Sequence, residues 1–209
     1  MRSLTVQGKG RVLTEPDIIF ISFKVETASL RYDTAVSELN QRTAKLKQSF
    51  VENNIPECEL KTTDFGIEVR HRRENSRYVF DGYDASHSLR IQVPNEKAKL
   101  NALLRSISAS ESGAEIRINF SVKDTSGIKK KALEKAVAEA KRNAAVLTEA
   151  AGVQLGDIMN IDYGWEEVHI YDHHNGMAYV CAENCAAEVD IEPEGVQAEV
   201  TVTIVYAIT

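Results

Sequence analysis

Residues 169 to 185 gather side chains that could hold a metal ion: His169, Asp172, His173, His174, Cys181 and Cys185. Imidazole, carboxylate and thiolate are ligand types of zinc and related ions. Strand geometry tests the idea. Asn175-Gly176 is a strong two-residue turn signal between Val168-His169-Ile170-Tyr171 and Met177-Ala178-Tyr179-Val180. In that hairpin His174 opposes Met177 and Ile170 opposes Cys181. Asp172, His174 and Cys181 then share one face, with His169 and His173 on the other. Four strand steps separate His169 from His173 by about 13 Å. One ion with ligand bonds of about 2 Å does not span that gap. Cys181 and Cys185 meet only if their segment turns into a helix or loop. A four-ligand site therefore needs the hairpin to fail, or a second chain to contribute. Two readings stand: an exposed hairpin with solvated histidines and no metal or cofactor, and a metal site built on His174, Asp172 and Cys181.

Other constellations carry less chemistry. Cys181-Ala182-Glu183-Asn184-Cys185 is not Cys-x-x-Cys, and it sets an acid where a reactive thiolate needs positive charge. Cys58, between Glu57 and Glu59, reads as a half-buried strand-edge residue. Gly8-Lys9-Gly10 invites a phosphate-loop reading, but no Gly-Lys-Ser/Thr opens a helix there. A hairpin or bulge turn is expected instead, since Gly admits positive φ. Lys129-Lys130-Lys131 is a solvated face or, with Lys135, Lys141 and Arg142, a patch for an anion or acidic partner. Arg70, His71, Arg72 and Arg73 form a second basic cluster, at an expected hairpin tip. There is no Gly-x-Ser-x-Gly elbow, His-Glu-x-x-His helix or dinucleotide fingerprint. Glu166-Glu167 points to opposite faces on a strand, so it is no acid/base pair. No catalytic residue is assigned.

Lys plus Arg total 25 against 31 Asp plus Glu, a net charge of −6. That balance speaks against a nucleic-acid partner. No stretch reaches the roughly 18 apolar residues of a membrane span. Three cysteines make no disulfide framework. Arg2 and Ser3 run straight into alternating Leu4-Thr5-Val6, with no signal-peptide pattern. As it stands the chain reads as cytoplasmic, and as periplasmic only if an export signal once preceded it.

The elements that must position these residues follow from periodicity. Ile19, Ile21, Phe23 and Val25 alternate as a strand after Pro16. Tyr32, Ala35, Val36, Leu39, Leu46 and Phe50 repeat at helical spacing, with a stop at Asn53-Asn54. Strands return over Glu59 to Arg70 and Tyr78 to Val93, where Ala85, His87, Leu89, Ile91 and Val93 share a face. Asn95 is a candidate cap for a helix carrying Leu100, Leu103, Leu104 and Ile107. Gly113 closes it, and Ile116, Ile118 and Phe120 give a strand. The clearest helix runs from about Thr125 to Ala151, with an alanine seam, a cap at Asp124 or Thr125, and Gly152 after its end. Strands over Ile158 to Tyr163 and Ala198 to Ile208 close the chain. Paired strands between helices imply an α+β architecture.

In order and residues the chain resembles the SIMPL domain family. LTVQGKGRVLTEPDIIFISFKVET is similar to that family's Gly-x-Gly segment, Pro-Asp and alternating strand. Thr62 to Ile67 resembles its Thr-containing strand, GYDASHSLRIQV its Gly-Tyr-x-Ala-Ser segment, and AGVQLGDIMNI the exit of its Ala-rich helix. The matches span nearly the whole chain, leaving residues 165–195 as a variable hairpin insertion. The resemblance implies a single α+β domain over residues 1–209, a mostly antiparallel sheet packed with three helices, and a tendency to form homo-oligomers. It implies no catalytic residues to carry over. Many members are exported from bacterial cells and linked to envelope or oxidative-stress roles. The expectation is therefore a non-enzymatic protein that self-assembles or binds a protein partner, with metal binding at residues 169–185 as the alternative.

Overall fold

The computed structural model describes residues 2–55, 59–74, 76–164, 169–171, 180–181 and 191–209. Its elements run β1 (Arg2–Thr14), β2 (Ile18–Ser29), α1 (Tyr32–Glu52), β3 (Lys61–Glu74), β4 (Arg77–Pro94), α2 (Lys97–Ala109), β5 (Glu115–Ser121), α3 (Thr125–Ala151), β6 (Leu155–Tyr163), β7 (His169–Tyr171), β8 (Val180–Cys181) and β9 (Val196–Ile208). The fold is α+β, with three helices and two antiparallel sheets among the described residues. The chain divides into two compact units, each with its own core.

The first unit joins both ends of the chain with α3. Its strand order is β1-β9-β6, with β7 also paired to β9. β1 and β9 run antiparallel from Arg2↔Ile208 to Thr14↔Val196. Val200, Val202, Ile204 and Tyr206 alternate inward from β9, as their spacing predicts. α3 lays Ala132, Ala136, Ala140 and Ala144 on this sheet, all fully buried. Asp124 caps the helix by accepting from the Gly127 N–H at 2.8 Å, and Gly152 closes it in the left-handed conformation.

Gly8-Lys9-Gly10 is not a turn. It lies inside β1, and neither glycine has positive φ. Both are buried where α3 crosses, and a Cβ on either would collide with the carbonyl oxygens of Ala132 or Ala136. The glycines and the facing alanines together bring helix and strand backbones into close approach. The same helix covers the outer edge of β1. Glu139 accepts from the Lys9 backbone N–H at 2.6 Å, Asn143 donates to the Gln7 carbonyl at 3.0 Å, and Lys135 donates to the Arg11 carbonyl at 3.1 Å. Positions 135, 139 and 143 recur every four residues, so one helix stripe satisfies alternate backbone groups of an edge strand.

The second unit has strand order β3-β4-β2-β5-β8. Ile19, Ile21, Phe23 and Val25 pack with Ala85, Leu89 and Ile91 beneath α1 and α2, and Phe23 meets Phe50 edge-on at 5.1 Å. α1 ends at Glu52 beside Asn53 and Asn54, as expected. Glu96, not Asn95, holds the N-cap position of α2. Tyr32 opens α1 half exposed instead of joining its buried stripe, because its ring stacks edge-on against Tyr83 at 5.6 Å. The hairpin of β3 and β4 is longer than its sequence pattern indicates. Arg70 to Arg73 lie within β3, in register with Gly82 to Tyr78 of β4, and not at the tip. Both faces of this stretch are largely solvated, so it shows no apolar alternation. Among the described residues, no helix is long and apolar enough to cross a membrane.

Candidate functional site

The segment singled out for metal chemistry is only partly within the described residues. Asp172, His173, His174 and Cys185 lie outside them, as do Cys58, Glu166 and Glu167. His169 falls in β7 opposite Glu199 of β9, and Cys181 in β8 opposite Glu115 of β5. These are different sheets. Ile170 pairs with Ala198, and the expected turn at Asn175-Gly176 lies outside the described residues. Among the described residues no group of three or more His, Cys, Asp or Glu is placed to hold a metal ion. Lys129, Lys130 and Lys131 are exposed at the start of α3.

Exposed large apolar side chains concentrate on β3 and β4: Phe65, Val69, Tyr78, Val79 and Phe80. β4 pairs with β2 only as far as Tyr83, opposite Ser29. Beyond that point β3 and β4 continue as a two-stranded ribbon to Glu74↔Arg77. The departure is marked by a register shift after Arg70 and by Gly82 at φ 117, where a Cβ would press on the Ser29 carbonyl. A bulge of this kind bends and twists the strand that carries it. One face of the ribbon root carries an aromatic row, with Phe80 against Tyr83 at 5.4 Å and Tyr83 against Tyr32. Tyr78, nearer the tip, is 77% exposed.

β3 is the terminal strand of its sheet among the described residues. Successive side chains alternate between faces. One face bears Asp64, Glu68, Arg70 and Arg72; the other bears Phe65, Val69, His71 and Arg73. Phe65 and Val69 are 50% and 49% exposed, unusual for large apolar groups on a sheet edge. Arg70 is well anchored: its guanidinium donates to Asp81 at 3.0 Å, to Asp84 at 3.0 Å and to the Asp81 carbonyl at 2.9 Å. Arg72 bonds Glu74 at 3.2 Å. Asp64, Glu68 and Arg73 have no ion-pair partner among the described residues.

Asp64 and Glu68 also border a groove of about 580 Å³ on the outer face of the sheet, with Glu26, Asp84 and Lys24. Lys24 bonds and pairs with Glu26, which pushes its ammonium pKa up. The groove is thus a solvated, mildly acidic surface. Sequence reading missed it, although the spacing of Asp64 and Glu68 on one strand face was available as a signal. On the opposite face, His87 sits between α1 and β3. Its ring nitrogens approach the Thr43 hydroxyl at 3.5 Å and the Thr62 hydroxyl at 3.0 Å, and Phe65 meets it edge-on at 5.4 Å. Burial, with a smaller contribution from Lys47, pushes the His87 pKa below its ordinary value.

Comparison with known proteins gives one family. The sequence model of SIMPL, described as a protein of unknown function, matches residues 4–206. No curated protein matches the chain.

Proposed function

We propose, from the premise that this chain belongs to the SIMPL family of proteins of unknown function, that it acts without catalysing a reaction, through self-assembly or binding of another protein. The supporting observation is a contrast between strand edges. The outer edge of β1 is occupied by Lys135, Glu139 and Asn143 of α3. Among the described residues the terminal strands β3 and β6 instead present large apolar side chains to solvent: Phe65 and Val69 on one, Leu155, Ile158, Met159 and Ile161 on the other. Open strand edges with apolar side chains are templates for pairing with another chain. Two register shifts along β9 put their extra residues on β6 itself, which limits continuous pairing there, whereas the shift beside Arg70 puts the extra residue, Asp81, on β4 and leaves residues 64–74 of β3 regular. Light scattering across a wide concentration range tests the reading. A mass that rises with concentration, or a stable complex with a second protein, supports it. A strict monomer that captures no partner removes it.

A further inference from the structure

Resting on that binding reading, we propose that β3 is a self-pairing strand: two copies of this chain join edge to edge, antiparallel, about a two-fold axis at Val69. The occupant of the open edge is set by charge order along the strand. Asp64 and Glu68 precede Val69; Arg70, Arg72 and Arg73 follow it. A strand polarised in this way repels a parallel copy, which would set Glu68 against Glu68 and Arg70 against Arg70. It suits an antiparallel copy, in which each acidic half meets a basic half.

The register follows from the same side chains. Residues directly opposite in an antiparallel pair share a face, and a two-fold axis makes every contact occur twice. With Val69 opposite itself, Glu68 meets Arg70, Gly66 meets Arg72, Ile67 meets His71 and Phe65 meets Arg73. An axis at Glu68 would oppose two carboxylates, and one at Arg70 two guanidiniums. The Val69 axis instead places an exposed apolar pair at the centre. It sets the Arg73 guanidinium over the half-exposed Phe65 ring, whose edge-to-face contact with His87 holds it in place. Arg70 is already held by Asp81 and Asp84, and a guanidinium has donors to spare for Glu68 of the second copy. Asp64 opposite Glu74 is the one unfavourable pair, with Arg72 of the second copy on the diagonal. Pairing from residue 65 to 73 spans roughly 30 Å. One strand pair of that length buries far less than the roughly 1,600 Å² of a standard interface. The dimer is therefore concentration-dependent and weakened by salt.

The test uses the full chain with Cys58, Cys181 and Cys185 replaced by Ser. Opposed residues in an antiparallel pair lie about 4.5–5.5 Å apart at Cα, within reach of a disulfide. Val69→Cys faces its own copy at the axis, whereas His71→Cys lies about 13 Å from its own copy. Under mild oxidation Val69→Cys is expected to give roughly tenfold more covalent dimer than His71→Cys. In sedimentation equilibrium Val69→Lys, otherwise wild type, is expected to raise the dissociation constant at least roughly tenfold, with an unchanged circular dichroism spectrum. If the wild type assembles but Val69→Lys assembles equally and the two cysteine variants cross-link alike, the β3 inference is overturned and the assembly reading stands. If the wild type is monomeric at every concentration, the β3 inference falls, and capture of a different protein would then leave only the broader binding reading.

Discussion

Replacing Gly10 by Ala tests the way the first unit is packed. A Cβ there would come to 2.7 Å from the Ala136 backbone nitrogen and closer still to the Ala132 carbonyl oxygen. Ordinary carbon contacts lie near 3.5–4.0 Å, so α3 must withdraw by about an ångström. The obstacle is helix backbone, which no rotamer change relieves. Overpacking of this kind costs about 1–3 kcal/mol, and the rigid contact puts Gly10 at the upper end. Reduced freedom of the unfolded chain returns roughly 0.4–1 kcal/mol. A net loss of about 2 kcal/mol follows, which at a typical urea dependence of roughly 1–3 kcal/mol per molar lowers the unfolding midpoint by about 1 M. Lys9→Ala serves as the control. Its bond to Glu139 comes from the backbone N–H, so the change stays within about 0.5 kcal/mol. A Gly10→Ala variant as stable as wild type would refute the close approach of β1 and α3.

Three further outcomes follow from single contacts. His87 has a folded pKa below its unfolded value near 6.5, so the unfolded chain binds more protons as pH falls. Its contribution is full above about pH 6.5 and is lost as pH falls through the folded pKa; urea midpoints at pH 7.5 and 5.0 should differ less in His87→Gln than in wild type. Asp124→Ala removes the α3 cap and should cost about 1 kcal/mol in urea unfolding, while Asp124→Asn should retain most of it. Glu139→Ala opens the β1 edge, and hydrogen exchange at the Lys9 amide should accelerate while amides in β2 are unchanged.

Much of this fold was legible because its signals were local. Asp124 and Gly152 bracket α3 by capping chemistry, and Val200 to Tyr206 alternate because only one face of β9 is covered. The misreadings came from positions where a partner decides the meaning. Gly8 and Gly10 suit a turn or a close approach equally well, and only the facing alanines of α3 settle which. Arg70 to Arg73 read as a tip because a strand exposed on both faces carries no apolar period. The cluster with metal-ligand side chains, around Asp172 and His174, lies outside the described residues, while its flanks at His169 and Cys181 join different sheets. The charge order along β3 was present in the sequence. It gained meaning only once β3 proved to be the terminal strand of its sheet among the described residues, with Phe65 and Val69 half exposed.

Binding through the edge of β3, the terminal strand of its sheet among the described residues, is the step on which the proposed function turns. Hydrogen exchange of the wild-type chain, measured at low and at high protein concentration, decides it. Amides between Phe65 and Arg73 that do not bond to β4 should exchange fast when dilute and become protected when concentrated, with the β1 amides unaffected. Exchange along β3 that is identical at both concentrations would rule out pairing through this strand.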